Sequence, residues 1–205
     1  MNKSKRVKKV GVGAMLFAGI VFMVGCVNLE PTRDVVRWHL LHSPSEAELQ
    51  EDSFSDEEGA WFVRPVRLPD YHQGNRMFFS SEERGVVYVE RDFWAEPLSD
   101  AVGRVVAMEL AQRTRKLVNY YPVSRKSAED GEFLLSFSRL DPVKNRGVVV
   151  DVMVTRTRPD QEGDREGDWR KRFRFTYGEG NYAQGGDIVR ELEAALAELA
   201  RRLSE

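Results

Sequence analysis

Three stretches in the second half of the chain constrain its fold most, because they alternate apolar and polar side chains. They read FLLSFSRL at 133–140, GVVVDVMVTRTR at 147–158 and WRKRFRFTY at 169–177. A period of two is typical of β-strands buried on one face. Polar connections at 141–147 and 159–168 favour hairpins between these strands. The sequence therefore predicts an antiparallel sheet.

Two segments have apolar residues at helical spacing. In the first, which follows Glu96-Pro97 with Ser99 or Asp100 as a candidate cap, they are Leu98, Val102, Val105, Val106, Leu110 and Leu117. In the second, which begins near Asp187, they are Ile188, Leu192, Leu196, Leu199 and Leu203. The expected fold is α+β: a single domain, residues 35–205, in which an antiparallel β-sheet has two amphipathic helices packed on one face.

Shorter strand signals lie in the first half of the domain. They occur at 35–41, 61–71, 77–94 and 117–123. The stretch 61–71 contains Pro65 and Pro69, and proline cannot donate to a strand ladder. We therefore expect this stretch to be an edge strand or an extended exit from a strand.

The N-terminus combines five basic residues with an apolar run that ends at the sole cysteine, Cys26. A basic start followed by a short apolar stretch is typical of a secretory signal. The residues before the cysteine, Met23-Val24-Gly25, resemble a bacterial lipoprotein box, in which the enzyme cuts before a cysteine that receives lipid. We predict a signal peptide at 1–25, a lipidated tether at 26–34 and lipidation at Cys26. An uncleaved anchor helix and an ordinary cysteine are the alternatives.

No pattern of catalytic residues emerges from the sequence. His39 and His42 are three residues apart, so on a strand they point to opposite faces and cannot share a metal ion. A second cysteine is absent, as are a P-loop and a nucleophile elbow. Removal of the basic signal would leave an acidic domain, which disfavours nucleic-acid binding. We expect a non-enzyme with no metal or cofactor.

Aromatic residues are crowded between positions 61 and 94. They are Trp61, Phe62, Tyr71, Phe78, Phe79, Tyr88, Phe93 and Trp94. Strand alternation directs some of them outward, and exposed aromatic groups are typical of surfaces that contact protein or lipid. The sequence leaves open which of the two they contact.

Four motifs in their order along the chain carry a family resemblance: RWHLL at 37–41, PVRLPDY at 65–71, FWAEPLSDAVGRVVAMEL at 93–110, and Tyr182-Ala183 before the last helix. Together with the lipoprotein box, they resemble the ABC-type transport auxiliary lipoprotein family, the PqiC/YmbA-type proteins, over residues 35–203.

This resemblance implies a non-catalytic, lipid-anchored periplasmic accessory component of an MCE/ABC-type system that transports lipid or hydrophobic solutes. Its implied partner is an MCE-type periplasmic protein, and homo-oligomers are compatible with it. Val27, where an aspartate would resemble an inner-membrane retention signal, favours the inner leaflet of the outer membrane. The alternative is a structural envelope lipoprotein that binds an outer-membrane protein or the cell wall.

For a protein of this family type, we expect a partner-binding edge near Pro65 and Pro69 of the second motif. Its predicted residues are Leu68, Pro69, Tyr71, Phe78 and Phe79. These side chains are more apolar than a solvated surface requires.

Overall fold

A computed structural model describes residues 35–43, 60–120, 131–157 and 168–205. The predicted signal peptide, Cys26 and the tether lie outside these residues. Within the described part of the chain, no helix has both the length and the apolar character needed to cross a membrane.

The described elements form a sheet, two long helices and one 3-10 turn, Asp70–His72. The strands are β1 (Arg37–His39), β2 (Trp61–Val63), β3 (Arg76–Ser81), β4 (Gly85–Trp94), β5 (Val118–Tyr120), β6 (Gly131–Val143), β7 (Gly147–Thr157) and β8 (Trp169–Tyr177). The helices are α1 (Leu98–Thr114) and α2 (Gly185–Ser204). The predicted α+β single-domain class is confirmed.

Strand β6 organises the sheet because both of its edges are paired. Along one edge it pairs antiparallel with β7, which in turn pairs antiparallel with β8. Along its other edge, β6 pairs parallel with β2 near Gly131 and parallel with β3 at Val143. The antiparallel β3–β4 hairpin continues the sheet to β1, and β5 extends it beyond β2.

The sheet is mixed rather than purely antiparallel. The predicted antiparallel order holds for the long strands, whereas β1 runs parallel to β4 and β2 runs parallel to both β5 and β6. Strands of three residues are too short to show a period, and their direction depends on long connections. Strand β2 is paired on both sides, so it is not an edge strand. Pro65 and Pro69 lie after its end, in an extended exit where Arg67 bridges to Ser136.

Both helices cover one face of the sheet, which we call the inner face. The side chains at the centre of this core are fully buried; they include Val148, Val150, Val152, Val154, Ile188, Leu196 and Leu199. Full burial of one such side chain contributes about 1.5–3 kcal/mol. The alternating pattern of β7 and the helical pattern of α2 therefore predicted these inward residues correctly.

The helix ends differ from the predicted ones. The N-cap of α1 is Pro97, so neither Ser99 nor Asp100 is the cap, and Asp100 instead accepts a hydrogen bond from Tyr120 Oη at 2.7 Å. Helix α1 ends at Thr114, before Leu117. Helix α2 starts at Gly185, and a capping box joins Gln184 to Asp187, which is the third helical residue rather than the first.

A β-bulge between Phe137 and Arg139 reverses the alternation of β6. Before the bulge, Phe133, Leu135 and Phe137 belong to the core, whereas after it Leu140 does. The extra residue turns Arg139 and Asp141 to the outer face, which is the face opposite the helices.

Candidate functional site

The outer face carries polar, charged and aromatic side chains where the inner face carries aliphatic ones. On β7 and β8, Asp151 lies opposite Arg174 and beside Arg172. The Asp151 carboxylate accepts hydrogen bonds from Arg172 Nε at 2.7 Å, Arg172 Nη2 at 2.8 Å and Arg174 Nε at 3.2 Å. Hydrogen bonds from Arg172 outweigh burial and lower the pKa of Asp151.

A second carboxylate, Asp141, lies where β6 passes the 3-10 turn. Tyr71 Oη donates to Asp141 Oδ1 and Arg139 Nε donates to Oδ2, both at 2.8 Å. His72 Nε2 lies 3.6 Å from Oδ1. Burial alone would raise the pKa of Asp141, but its contacts with His72, Arg139 and Tyr71 outweigh burial and lower it. Burial and the bond to Asp141 raise the pKa of Tyr71. The pair is a fixed tyrosine–carboxylate contact.

Four rings form what we call the docking cluster, Tyr71, His72, Phe78 and Tyr88, of which Tyr71 and His72 contact this carboxylate. Ring centroids are 5.0 Å apart for His72–Phe78, 5.9 Å for Tyr71–Phe78 and 6.2 Å for Phe78–Tyr88. Tyr71 and Tyr88 are 48% and 46% exposed, whereas Phe78 is 6% exposed. Two solvent-facing tyrosines thus rest on a buried phenylalanine, and the Arg76 guanidinium lies 4.3 Å from the Tyr88 ring centroid.

The predicted partner-binding residues are distributed over two faces of the sheet. Tyr71 and Phe78 belong to the docking cluster, although Phe78 supports it from below. Leu68 and Pro69 are half-buried and line a neighbouring groove of about 440 Å³ that reaches the start of α1. Phe79 faces the helices and lies 5.9 Å from the Tyr182 ring, so it does not share the outer surface.

Sequence reasoning did not select Tyr88 for the site. The signal for it was available, because Tyr88 alternates with Val87 and Val89 on β4 and a pattern of this kind places it opposite the core. Its cross-strand pairing with Phe78 was not readable, since that depends on the register of β3 and β4.

A third carboxylate, Asp92, is fully buried beside β1. Arg37 donates through Nε and Nη2 to its two oxygens, at 2.8 Å each, and His39 Nε2 lies 2.7 Å from Oδ1. Burial alone would raise the pKa of Asp92, but the bonds from Arg37 and His39 outweigh it and lower the pKa. A Cβ on Gly185 would lie 2.8 Å from the Asp92 side chain, so glycine permits the start of α2 to pack here.

The chemistry of these three carboxylates favours a structural role over a catalytic one. Each is held ionised by fixed donors, whereas a general acid or base at neutral pH needs a pKa near 7. Among the residues that the structure describes, no group of three or more His, Cys, Asp and Glu side chains is arranged to hold a metal ion. The docking cluster is therefore the strongest candidate for a functional site.

Comparison with known proteins identifies the family. A family model described as the ABC-type transport auxiliary lipoprotein component matches residues 39–204. This chain belongs to that family. The predicted family is confirmed, and the chain is an auxiliary component of ABC-type transport. No curated protein matches this auxiliary lipoprotein.

Solved structures confirm the fold of the auxiliary lipoprotein. A crystal structure of an uncharacterized protein is similar with a TM-score of 0.63 at 13% identity, covering 83% of this chain and 97% of the other. A second, protein XCC0632 from Xanthomonas campestris, of the DUF330 family, has a TM-score of 0.54 at 8% identity, covering 82% of this chain and 92% of the other. At such identities the likeness concerns the fold alone.

Proposed function

We propose that this auxiliary lipoprotein is anchored by lipid on Cys26 at the periplasmic inner leaflet of the outer membrane. There it serves as a non-catalytic subunit of an MCE-type ABC transport system for lipid or hydrophobic solutes. The family membership supports the transport role, and the lipoprotein box at 23–26 supports the anchor.

The docking cluster is the observation that carries the proposed contact with an MCE-type protein. Tyr71 and Tyr88 present large rings to solvent, and exposed tyrosines are enriched among the residues that dominate binding energy. The bond from Tyr71 to Asp141 and the packing of both rings on Phe78 fix them before binding. A surface ordered in advance loses little conformational entropy when a partner binds.

The groove beside the cluster extends the proposed contact. Leu68 and Pro69 line it together with Asp70, Gln73 and Pro97, so apolar floor and polar rim occur side by side. This composition matches the apolar centre and polar border of protein interfaces. His72 belongs to both the cluster and the lining of the groove, so the two adjoin each other.

The docking test is co-purification with an MCE-type periplasmic protein of the same organism. The double variant Tyr71→Ala, Tyr88→Ala should weaken capture by about tenfold or more, because each lost ring removes a central contact. Tyr177→Ala is the matched control, since Tyr177 is 39% exposed but lies on β8, and it should leave capture unchanged. Full capture by the double variant, with an unchanged melting curve, would place the contact elsewhere.

The anchor test is metabolic labelling with a palmitate analogue. Wild-type protein should take up the label and Cys26→Ser should not, because Cys26 is the only thiol in the chain. Equal labelling of both proteins would refute lipidation at this position.

A further inference from the structure

The outer side of β1 exposes an unusual amount of apolar surface. Val36, Trp38 and Leu40 are spaced by two, so they share one face, and they are 46%, 59% and 44% exposed. Val35 precedes them and is 68% exposed. We call Val36, Trp38 and Leu40 the β1 lip. The Trp38 ring packs against Phe93 with centroids 5.3 Å apart, which holds the indole at the surface.

The fold itself does not require these apolar side chains. The opposite side of β1 attaches the strand to the domain through Arg37 and His39, both bonded to Asp92. The next apolar residue, Leu41, is fully buried and supplies the core contact of this segment. The lip is therefore surplus to the packing of the strand that carries it.

Another edge of the described sheet, β8, carries different side chains. It carries Arg170, Lys171, Arg172 and Arg174, all exposed. Charged side chains on an edge strand are the ordinary protection against unwanted contacts. The contrast indicates that the surface at β1 meets an apolar environment that β8 avoids.

The position of the lip in the chain identifies that environment. Eight residues, 27–34, separate Cys26 from Val35, and an extended chain of this length spans at most roughly 29 Å. A lipid on Cys26 would keep the lip close to the bilayer surface. Tryptophan favours the interface between headgroups and acyl chains, where its ring is apolar and its N–H is hydrated.

One cation lies at the border of the lip. Arg76 is exposed and pairs in register with Phe93, the residue that packs against Trp38. An arginine beside an apolar strip suits lipid phosphates, which lie just above the acyl chains.

We propose that the β1 lip inserts into the interfacial layer of the leaflet that holds the lipid on Cys26, as a second membrane contact that orients the domain. This rests on the anchor in the proposed function. The anchor makes the second contact intramolecular, so even a small interfacial affinity keeps the lip inserted.

Tryptophan fluorescence of the full lipidated protein in vesicles tests the insertion. The vesicles contain phosphatidylethanolamine and phosphatidylglycerol, with bromine on the acyl chains as the quencher. Trp61 and Trp94 are buried and Trp169 is partly buried, whereas Trp38 is 59% exposed, so Trp38 is the most exposed of the four tryptophans. Brominated vesicles should quench part of the wild-type emission, and this part should be absent in Trp38→Phe. Wild-type emission that brominated lipid leaves unchanged would overturn the proposal.

Two further variants separate the lip from general surface hydrophobicity. Val36→Ser with Leu40→Ser should at least halve the quenching of Trp38. Leu134→Ser should leave it unchanged, because Leu134 is equally exposed, at 43%, but lies on β6. Equal loss in both variants would contradict a specific contact at β1. If the double variant loses its fold, the comparison of wild type with Trp38→Phe still decides.

Failure of the anchor is distinguishable from failure of the lip. If Cys26 carries no lipid, the palmitate label will be equal in wild type and Cys26→Ser, and quenching of Trp38 at saturating vesicle concentration still decides the role of the lip. If the label marks wild type alone but Trp38 is not quenched, the anchor stands and the lip is refuted.

Discussion

The two faces of the sheet come from the same strands but carry different kinds of side chain. On the inner face, side chains such as Val150, Val152 and Leu196 are fully buried under the helices. On the outer face, carboxylates are paired with arginines and a tyrosine, and rings remain half exposed. The inner face therefore sets stability, whereas the outer face can vary with the partner. Substitutions matched between the faces test this division.

The largest effect is expected from a charge on the inner face. Leu196→Asp places a carboxylate at a fully buried position, and a buried unpaired charge should destabilise the domain by about 4 kcal/mol or more. Thermal unfolding followed by circular dichroism measures the loss. Leu134→Asp on the outer face is the control and should cost only about 1 kcal/mol, since Leu134 is 43% exposed and aspartate is merely disfavoured in strands. Equal melting temperatures for both variants would show that the assignment of the faces is wrong.

A smaller but substantial loss of stability is expected from a change at Asp92, which lies on β4 and contacts β1. Asp92→Asn keeps the shape but removes the charge that Arg37 and His39 contact, and it should cost about 2 kcal/mol. The cost is moderated because Arg37 is half exposed and can be hydrated. Urea unfolding measures the loss, and β1 should become the first strand whose amides exchange. An unchanged midpoint would mean that Leu41 alone holds this segment.

Acid should remove the stability that the ionised Asp92 side chain contributes. The folded pKa of Asp92 lies below its ordinary value of 3.8, so the ionised form stabilises the fold above a pH of about 4. This contribution is lost as the pH falls through the lower folded pKa. The difference in unfolding free energy between wild type and Asp92→Asn should therefore be constant at neutral pH and shrink below about pH 4. A difference that grows on acidification would reverse the assigned sign.

The long elements of this fold were predictable because their patterns repeat. The inward residues of β6, β7 and α2 follow from periods of two and 3.6, which report burial directly. The parallel pairing of β1 and β2 was not predictable, because three residues carry no period. The bulge in β6 was also hidden, and it is the feature that turns Asp141 toward Tyr71.

The candidate site was predictable only in part for the same reason. Tyr71 lies in a motif that the sequence singles out, but its partner Asp141 is 70 residues away. Phe79 was placed with Phe78 because the two are adjacent, whereas adjacency on a strand assigns them to opposite faces. Local patterns therefore located the region, and the register of distant strands decided which side chains meet.

Tyr71→Phe separates the ring of the docking cluster from its hydroxyl. The variant loses the bond to Asp141 but keeps the packing on Phe78. Stability should fall by about 1 kcal/mol, because Arg139 still satisfies the carboxylate. Capture of the MCE-type partner should persist if the ring makes the contact. Loss of capture together with an intact fold would show that the partner recognises the hydroxyl.

The smallest effect is expected at Asp151, which resembles Asp92 in having two basic partners. Arg172 and Arg174 are about half and two-thirds exposed, so water can replace the carboxylate around both. Both arginines also lie on β8, which pairs with β7 along its whole length. In contrast, β1 has only three residues and is held by the Asp92 carboxylate of β4. Asp151→Asn should therefore cost only about 0.5 kcal/mol, and less in high salt, as measured by urea unfolding. A loss equal to that of Asp92→Asn would show that the outer face also sets stability, and the division between the two faces would fail.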